Sequence, residues 1–435
     1  MMKSNRLTAV MNKLTNHTVF ADLLKPVERA LDTIRLGPAD GRVLSMRDFI
    51  AVGVLRHLKG MRTLREQIQT LLHLDPSEPT GAPLARSTWS DALSAKSRRT
   101  ALRVLVPKLA NEADRVLPDR LANLPGLGQR PVRAIDGTYQ KESAHYRRRT
   151  PKEGGTDNAK GHALLSFYDV RRGVPEDVHV ETRSCHEQLL LRDYDRDTSA
   201  LTRQRHTLWL VDRAFIDGRF WDEKKRRLGQ TLITRMKSNL KFTVQQPRVI
   251  DDENAVNQGV IGDQQIQLDS AEQPWRLIHF VSRRGQAVEF LTNEFDLEPG
   301  VIAFLYSRRW EEEKCFDTWK NDFSQAKAWG KSAVAIENQV LLAIVTSILI
   351  ALCLYQVFDG EPPEDEKAMR KQKKRQAAGF HDADGTDRPR WTAPLYPFTT
   401  KISRQVLRFF QNCFDKIASP GLYQRQLRPL FEAYL

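Results

Sequence analysis

Tyr306-Ser307-Arg308-Arg309-Trp310-Glu311-Glu312-Glu313 leads, seven residues further on, to Lys320. Read with gaps this is Tyr-x2-Arg-x3-Glu-x6-Lys, through Tyr306, Arg309, Glu313 and Lys320. An α-helix turns once in about 3.6 residues, so offsets of three, four and seven place the four side chains on one stripe. A phenol, a guanidinium, a carboxylate and an ammonium make a poor core stripe. They suit a divalent cation beside a phosphate, with Glu313 on the cation and Tyr306, Arg309 and Lys320 on phosphate oxygens. The competing reading is a solvated helix face with i,i+4 ion pairs. Of the consecutive acids Glu311, Glu312 and Glu313, only Glu313 keeps both offsets. The stripe is expected on an exposed cleft face, where alanine at Arg309 or Lys320 costs little stability.

Two upstream segments supply acids where such a glutamate needs them. In Pro131-Val132-Arg133-Ala134-Ile135-Asp136-Gly137-Thr138-Tyr139, an apolar strand is expected to end at Asp136. In Thr207-Leu208-Trp209-Leu210-Val211-Asp212-Arg213-Ala214-Phe215, a second ends at Asp212. An acid at the tip of a buried strand is costly unless a cation or donors meet it. Taken singly, each is more simply a helix N-cap or turn residue. Together with the Glu313 face they describe a two-metal carboxylate site.

Those three segments resemble the DDE transposases of the insertion-sequence-four type, with their Tyr-Arg-Glu-Lys signature. Many members have Gly where this chain has Ala214. Ile233-Thr234-Arg235-Met236-Lys237-Ser238-Asn239 is similar to the basic strand these proteins carry after the second aspartate. The resemblance spans roughly residues 130 to 350. It implies a ribonuclease-H-like catalytic core, cut-and-paste transposition, and phosphate contacts from Arg235 and Lys237. It also implies a β-rich insertion, which in hairpin-forming relatives supplies an aromatic that stacks on a flipped base. Trp275 is the tryptophan available there; a core tryptophan is the plainer reading.

Composition points the same way. The 435 residues allow two to four domains, and the net charge of +14 calls for a polyanion, with nucleic acid leading. Cys185, Cys315, Cys353 and Cys413 are widely spaced, which argues against a zinc finger or disulfide framework and fits a reducing compartment. The N-terminus leads into no apolar signal region. Val340 to Phe358 is apolar at a length that spans a bilayer, but a helix apolar all round equally fills the centre of a large domain, and that reading is preferred.

The expected fold class is α/β: a ribonuclease-H-like mixed sheet, a β-rich insertion between the second Asp and the Glu, and an N-terminal all-helical domain. Residues 1–125 form the helical DNA-binding domain. Ser45 caps one helix there, and Thr63 and Glu66 stand in capping-box spacing at the next. These helices are read either as a helix-turn-helix reader of DNA ends or as a packing module with a basic face. Residues 126–358 form the catalytic domain, interrupted by the insertion at about 240–297, with strands over 161–170, 177–182, 262–268, 275–281 and 287–293. His186-Glu187 reads as a helix start rather than a ligand pair. Residues 359–400 form a charged, Pro-containing linker, and 401–435 a C-terminal helical segment.

The functional expectation is a DNA transposase. Asp136, Asp212 and Glu313 hold two Mg2+ or Mn2+ ions and act on double-stranded DNA, at the element's terminal inverted repeats and at the target. A dimer in the synaptic complex, no membrane partner, and a cytoplasmic, nucleoid-associated location complete it. The alternatives are an inactive or domesticated DNA-binding derivative, or a related nuclease.

Overall fold

A computed structural model describes residues 19–41, 43–72, 84–141, 161–181, 186–197, 200–282, 285–309, 315, 319–320, 323 and 327–357. Glu311, Glu312 and Glu313, Cys185, Cys413, the 359–400 linker and the 401–435 segment lie outside them.

Among the described residues five α-helices come first: α1 Val19–Leu31, α2 Met46–Leu58, α3 Leu64–Leu72, α4 Arg86–Ser94 and α5 Lys96–Val116. Ser45 caps α2 by accepting from Asp48 N. Thr63 Oγ1 accepts from Glu66 N, and Glu66 reaches back to Arg62 N, one residue before the usual capping-box partner. The sheet follows: β1 Val132–Lys141, β2 Gly161–Asp169, β3 Val174–Glu181, then α6 Glu187–Tyr194, β4 Leu208–Val211, α7 Gly218–Leu228 and β5 Thr231–Arg235. Four further strands come next, β6 Phe242–Pro247, β7 Val260–Leu268, β8 Trp275–Val281 and β9 Ala287–Thr292. Helices α8 Pro299–Arg308 and α9 Ala333–Val357 close the described chain.

The nine strands among the described residues form one mixed sheet, ordered β3-β2-β1-β4-β5-β9-β8-β7-β6. β1, β4 and β5 are parallel; every other pairing is antiparallel. A mixed α/β architecture is therefore present. An antiparallel meander leading into parallel strands is consistent with a ribonuclease-H-like core. The β-rich segment does not stand apart: β9 pairs with β5, so β6 to β9 widen the same sheet.

Two apolar layers cover the sheet. One holds Val132, Ala134, Leu208 and Leu210 with Val301, Ile302 and Leu305 of α8. The other holds Ile135, Trp209 and Val211 with Leu190 and Leu191 of α6 and Trp221 of α7. A third core joins the N-terminal helices to α9 and to Val174 and Val178 of β3. The packing of α2 on α9 is close: a Cβ on Gly53 would meet Leu342 at 2.6 Å. Arg103 on α5 binds both Glu337 of α9 and Asp177 of β3, joining all three parts. The helical segment thus shares its core with the long helix. Ala333–Gln356 is long and apolar enough to cross a membrane, yet 78% of its most apolar stretch is buried inside the protein. The buried-helix reading describes its packing.

Candidate active site

Parallel pairing brings two aspartates side by side. The last pair between β1 and β4 is Ile135 opposite Val211. The next residues are Asp136 and Asp212. Neighbouring strands lie about 4.8 Å apart, so the two acids share one edge of the layer. Side chains alternate between faces along a strand. Asp136 has the parity of Ala134, and Asp212, whose backbone stays extended, has that of Leu210. Ala134 and Leu210 both lie in the core under α8. Both acids therefore belong to the face that α8 covers.

One detail corrects the sequence reading. β1 does not end at Asp136; it runs on to Lys141 because β2 keeps pairing with it, down to Lys141 opposite Gly161. Only the parallel partner stops. β4 does end at Val211, as expected.

From α8 comes the counter-charge. Arg309 follows the last residue of the helix, and its Nη1 lies 3.8 Å from Asp136 Oδ2. Arg309 also hydrogen-bonds the Tyr306 hydroxyl. The Tyr306 ring packs on Phe290 of β9, with centroids 5.3 Å apart. Burial pushes the Tyr306 hydroxyl above its ordinary pKa, with Asp212 adding to the rise and Arg309 and Arg235 opposing it. Arg235, exposed at the end of β5, and Asp212 are thus both in electrostatic reach of Tyr306. Asp136, Asp212, Tyr306, Arg309 and Arg235 come together.

The exposed-stripe expectation is corrected for half its members. Tyr306 is 7% exposed and Arg309 6%. The reason is β9: it places Phe290 under Tyr306, and the helix end is pressed onto the sheet. α8 itself stops at Arg308, and the stretch that carries Glu313 lies outside the described residues. Lys320 is exposed, and lines a groove against α3 and α4. Lys237 is half-buried in the turn after β5, two residues beyond Arg235. Trp275 is fully buried, its indole N–H donating to Asp222 at 3.0 Å, so it takes the core role.

Glu187 was read only as part of a helix start, and it does open α6, with His186 as N-cap accepting from Gln188 N. Its carboxylate also lies against Gly137: a Cβ there would fall 2.6 Å from Glu187 Cγ and Cδ. Burial, and after it the charge of Asp212, raises the Glu187 pKa. A third acid therefore stands beside the two strand ends, approaching Gly137 from the opposite layer. No local signal announces it, because the contact joins distant segments.

Carboxylate oxygens are hard donors that fit Mg2+ or Mn2+ in kind. Among the described residues no three His, Cys, Asp or Glu side chains lie close enough to hold an ion. Among the described residues, Glu187 therefore does not complete a triad with the two aspartates.

Comparison with known proteins gives a family and a structural likeness. Residues 127–349 match the family model described as "Transposase DDE domain". A solved structure titled "Cryo-EM structure of piggyBac transposase synaptic complex with hairpin DNA (SNHP)" matches at 10% identity. That match covers 94% of this chain and 84% of that one, with a TM-score of 0.38, too low to bear on the argument. No curated protein sequence matches.

Proposed function

The chain belongs to the transposase DDE-domain family through residues 127–349, and from that premise we propose that it is a cut-and-paste DNA transposase of the insertion-sequence-four type. The observation that supports this most is the register of β1 and β4, which pairs Ile135 with Val211 and so sets Asp136 beside Asp212 under α8.

Asp136, Asp212 and Glu313 would hold two Mg2+ or Mn2+ ions. When bound, these lower the pKa of a water and neutralise charge at the scissile phosphate. The residues themselves set the field. Two adjacent carboxylates repel each other, which favours cation entry. Tyr306 fixes the Arg309 guanidinium, and this planar fork suits phosphate oxygens. Arg235 and Lys320 add cations for the DNA backbone, and Lys237 extends them. Hydrolysis of one phosphodiester at the element's end frees a 3′-hydroxyl. That hydroxyl attacks a target phosphodiester, exchanging one ester for another, so no external energy source is needed. Double-stranded DNA, a dimer in the synaptic complex and a cytoplasmic, nucleoid-associated location belong to the same reading.

The test is a joining assay with a donor duplex that carries the DNA flanking the chain's own gene, a target plasmid and Mg2+. Covalent joining of donor 3′ ends to the target supports the proposal. Nicking without joining points to a related nuclease, and binding without either to an inactive derivative.

A further inference from the structure

Gly137 is a glycine that its own backbone does not require. It stands inside β1, opposite Leu165 of β2, and its φ is outside the left-handed region. Glycine inside a strand weakens it and marks a place where another group comes close. That group is Glu187. A Cβ at 137 would fall closest to Glu187 Oε1, and 2.6 Å from its Cγ and Cδ. The space that a side chain at 137 would take holds the carboxyl end of Glu187.

The register makes this a way into the acid pair. β4 ends at Val211, opposite Ile135, so on that side no strand among the described residues runs beside Gly137. The sheet has a notch there, bordered by Asp136 and Gly137 on β1 and by Asp212 after β4. Glu187 comes from the layer of α6, whereas both aspartates belong to the face under α8. Across the notch no strand separates them, and the charge of Asp212 acts on Glu187.

Glu187 is held where it stands. Leu190 and Leu191 of its helix pack in one core with Ile135, Trp209 and Val211. Gln188 donates to Asp217 Oδ2 at 3.1 Å, and Arg192 binds the same oxygen. Asp217 also caps α7, accepting from Phe220 N at 3.2 Å. The segment that leads on from Asp212 therefore also holds the helix that carries Glu187.

This placement costs stability. Glu187 is half-buried, and among the described residues no hydrogen-bond donor meets its carboxylate. Burial, and after it Asp212, raises its pKa, with His186 opposing. A first-turn acid that served only the helix dipole would do so equally well facing water. A half-buried acid without a donor, a like charge across the notch and a glycine inside a strand are three costs at one point. A hydrated divalent cation at the aspartates relieves the first two, because the waters it keeps are donors to further carboxylates.

We propose that Glu187 is a positioning residue of the cleavage site, one that strengthens cation capture at Asp136 and Asp212 from the opposite layer, by its charge and through water in the notch, without joining their donor set. The identity of the site rests on the transposase reading; the placement of Glu187 rests on Gly137 and on the register of β1 and β4. Action through water agrees with the spacing, since no three such side chains among the described residues lie close enough to hold an ion together.

The test uses the full chain without DNA. Mn2+ binding is followed by the electron paramagnetic resonance of the free ion, and melting is followed in EDTA. Glu187→Gln is expected to bind Mn2+ about tenfold more weakly than the wild type, and to melt higher in EDTA because a half-buried charge beside Asp212 is gone. Glu187→Asp, which keeps the charge on a shorter arm, is expected between the two. Asp252→Asn removes an exposed acid in the loop between β6 and β7 and is expected to bind like the wild type. Wild-type affinity in Glu187→Gln overturns the proposal. So does weaker binding joined to a lower melting temperature in both Glu187 variants, which would make the acid structural. If Glu187→Gln does not fold, Glu187→Asp decides: weaker binding supports the proposal and wild-type binding overturns it. Weakened binding in Asp212→Asn but not in Glu187→Gln overturns the proposal and leaves the transposase reading standing; a wild-type chain that takes up no Mn2+ removes both.

Discussion

Arg309 Nη1 lies 3.8 Å from Asp136 Oδ2, joining the end of α8 to the middle of β1. Both partners are mostly covered, at 8% and 17% side-chain exposure. The separation is longer than a tight ion pair, so the guanidinium keeps capacity for a phosphate. Removing it leaves a carboxylate in the layer without that neighbour. Arg309→Ala should lower stability by about 1–3 kcal/mol in urea melts, and Arg309→Lys should recover most of it. An Arg309→Ala variant that melts like the wild type would show that the pair does not hold the helix end.

Gly137 and Glu187 should couple. Alanine at 137 pushes a methyl group against the Glu187 side chain. Gly137→Ala alone should destabilise the chain, and Gly137→Ala/Glu187→Ala should recover more than the sum of the single effects. Thermal melting of the four proteins measures this. Strict additivity would mean that the two residues do not touch.

How much of this was legible in the chain differs from element to element. The strand over Trp275–Val281 matches the sequence reading, and Ala287–Thr292 stops one residue short of it, because apolar runs between turn residues mark buried strands. Asp212 at the end of β4 was legible for the same reason. The run of β1 beyond Asp136 was not, because Thr138, Tyr139 and Gln140 are extended only through pairing with β2. Burial of Tyr306 and Arg309 depends on Phe290 arriving from another strand, which no local spacing encodes. The helices were visible by period and caps, but their shared core with α9 was not, since periodicity shows which face is apolar and not what covers it.

His57 should make stability fall on acidification. Burial lowers its pKa to about 3, so the folded chain refuses a proton that the unfolded chain takes near its ordinary value. The unfolded state binds more protons between pH 6.5 and 3, so this contribution falls as the pH drops through that window and levels off on either side of it. The limiting contribution is about 1.4 kcal/mol per pH unit. His57→Gln, which can still donate towards Phe323 O, should flatten this slope in melts between pH 7 and 5. An unchanged slope in that variant would assign the acid sensitivity to other groups.

Trp275 should matter for folding rather than for DNA. Asp222 accepts from its indole and from the Glu272 and Gln273 backbone N–H groups at 2.6 and 3.0 Å. Trp275→Phe leaves part of that acceptor set unmet and should cost about 1–3 kcal/mol. Cleavage per folded molecule should stay near the wild-type level. A stable Trp275→Phe variant that fails in strand processing would return this residue to the DNA interface.

The central claim is that Asp136, Asp212 and Glu313 form one metal-dependent cleavage site. The direct measurement is cleavage, in Mg2+, Mn2+ or EDTA, of a duplex carrying the DNA that flanks the chain's own gene, with the new ends identified. The account predicts new 3′-hydroxyl ends only with metal. They should be lost in Asp136→Asn, Asp212→Asn and Glu313→Gln, and retained in Glu311→Gln. Asp212→Asn should also melt no lower than the wild type, because one of two facing charges is gone. A folded Asp212→Asn or Glu313→Gln variant that still cuts with metal would contradict it.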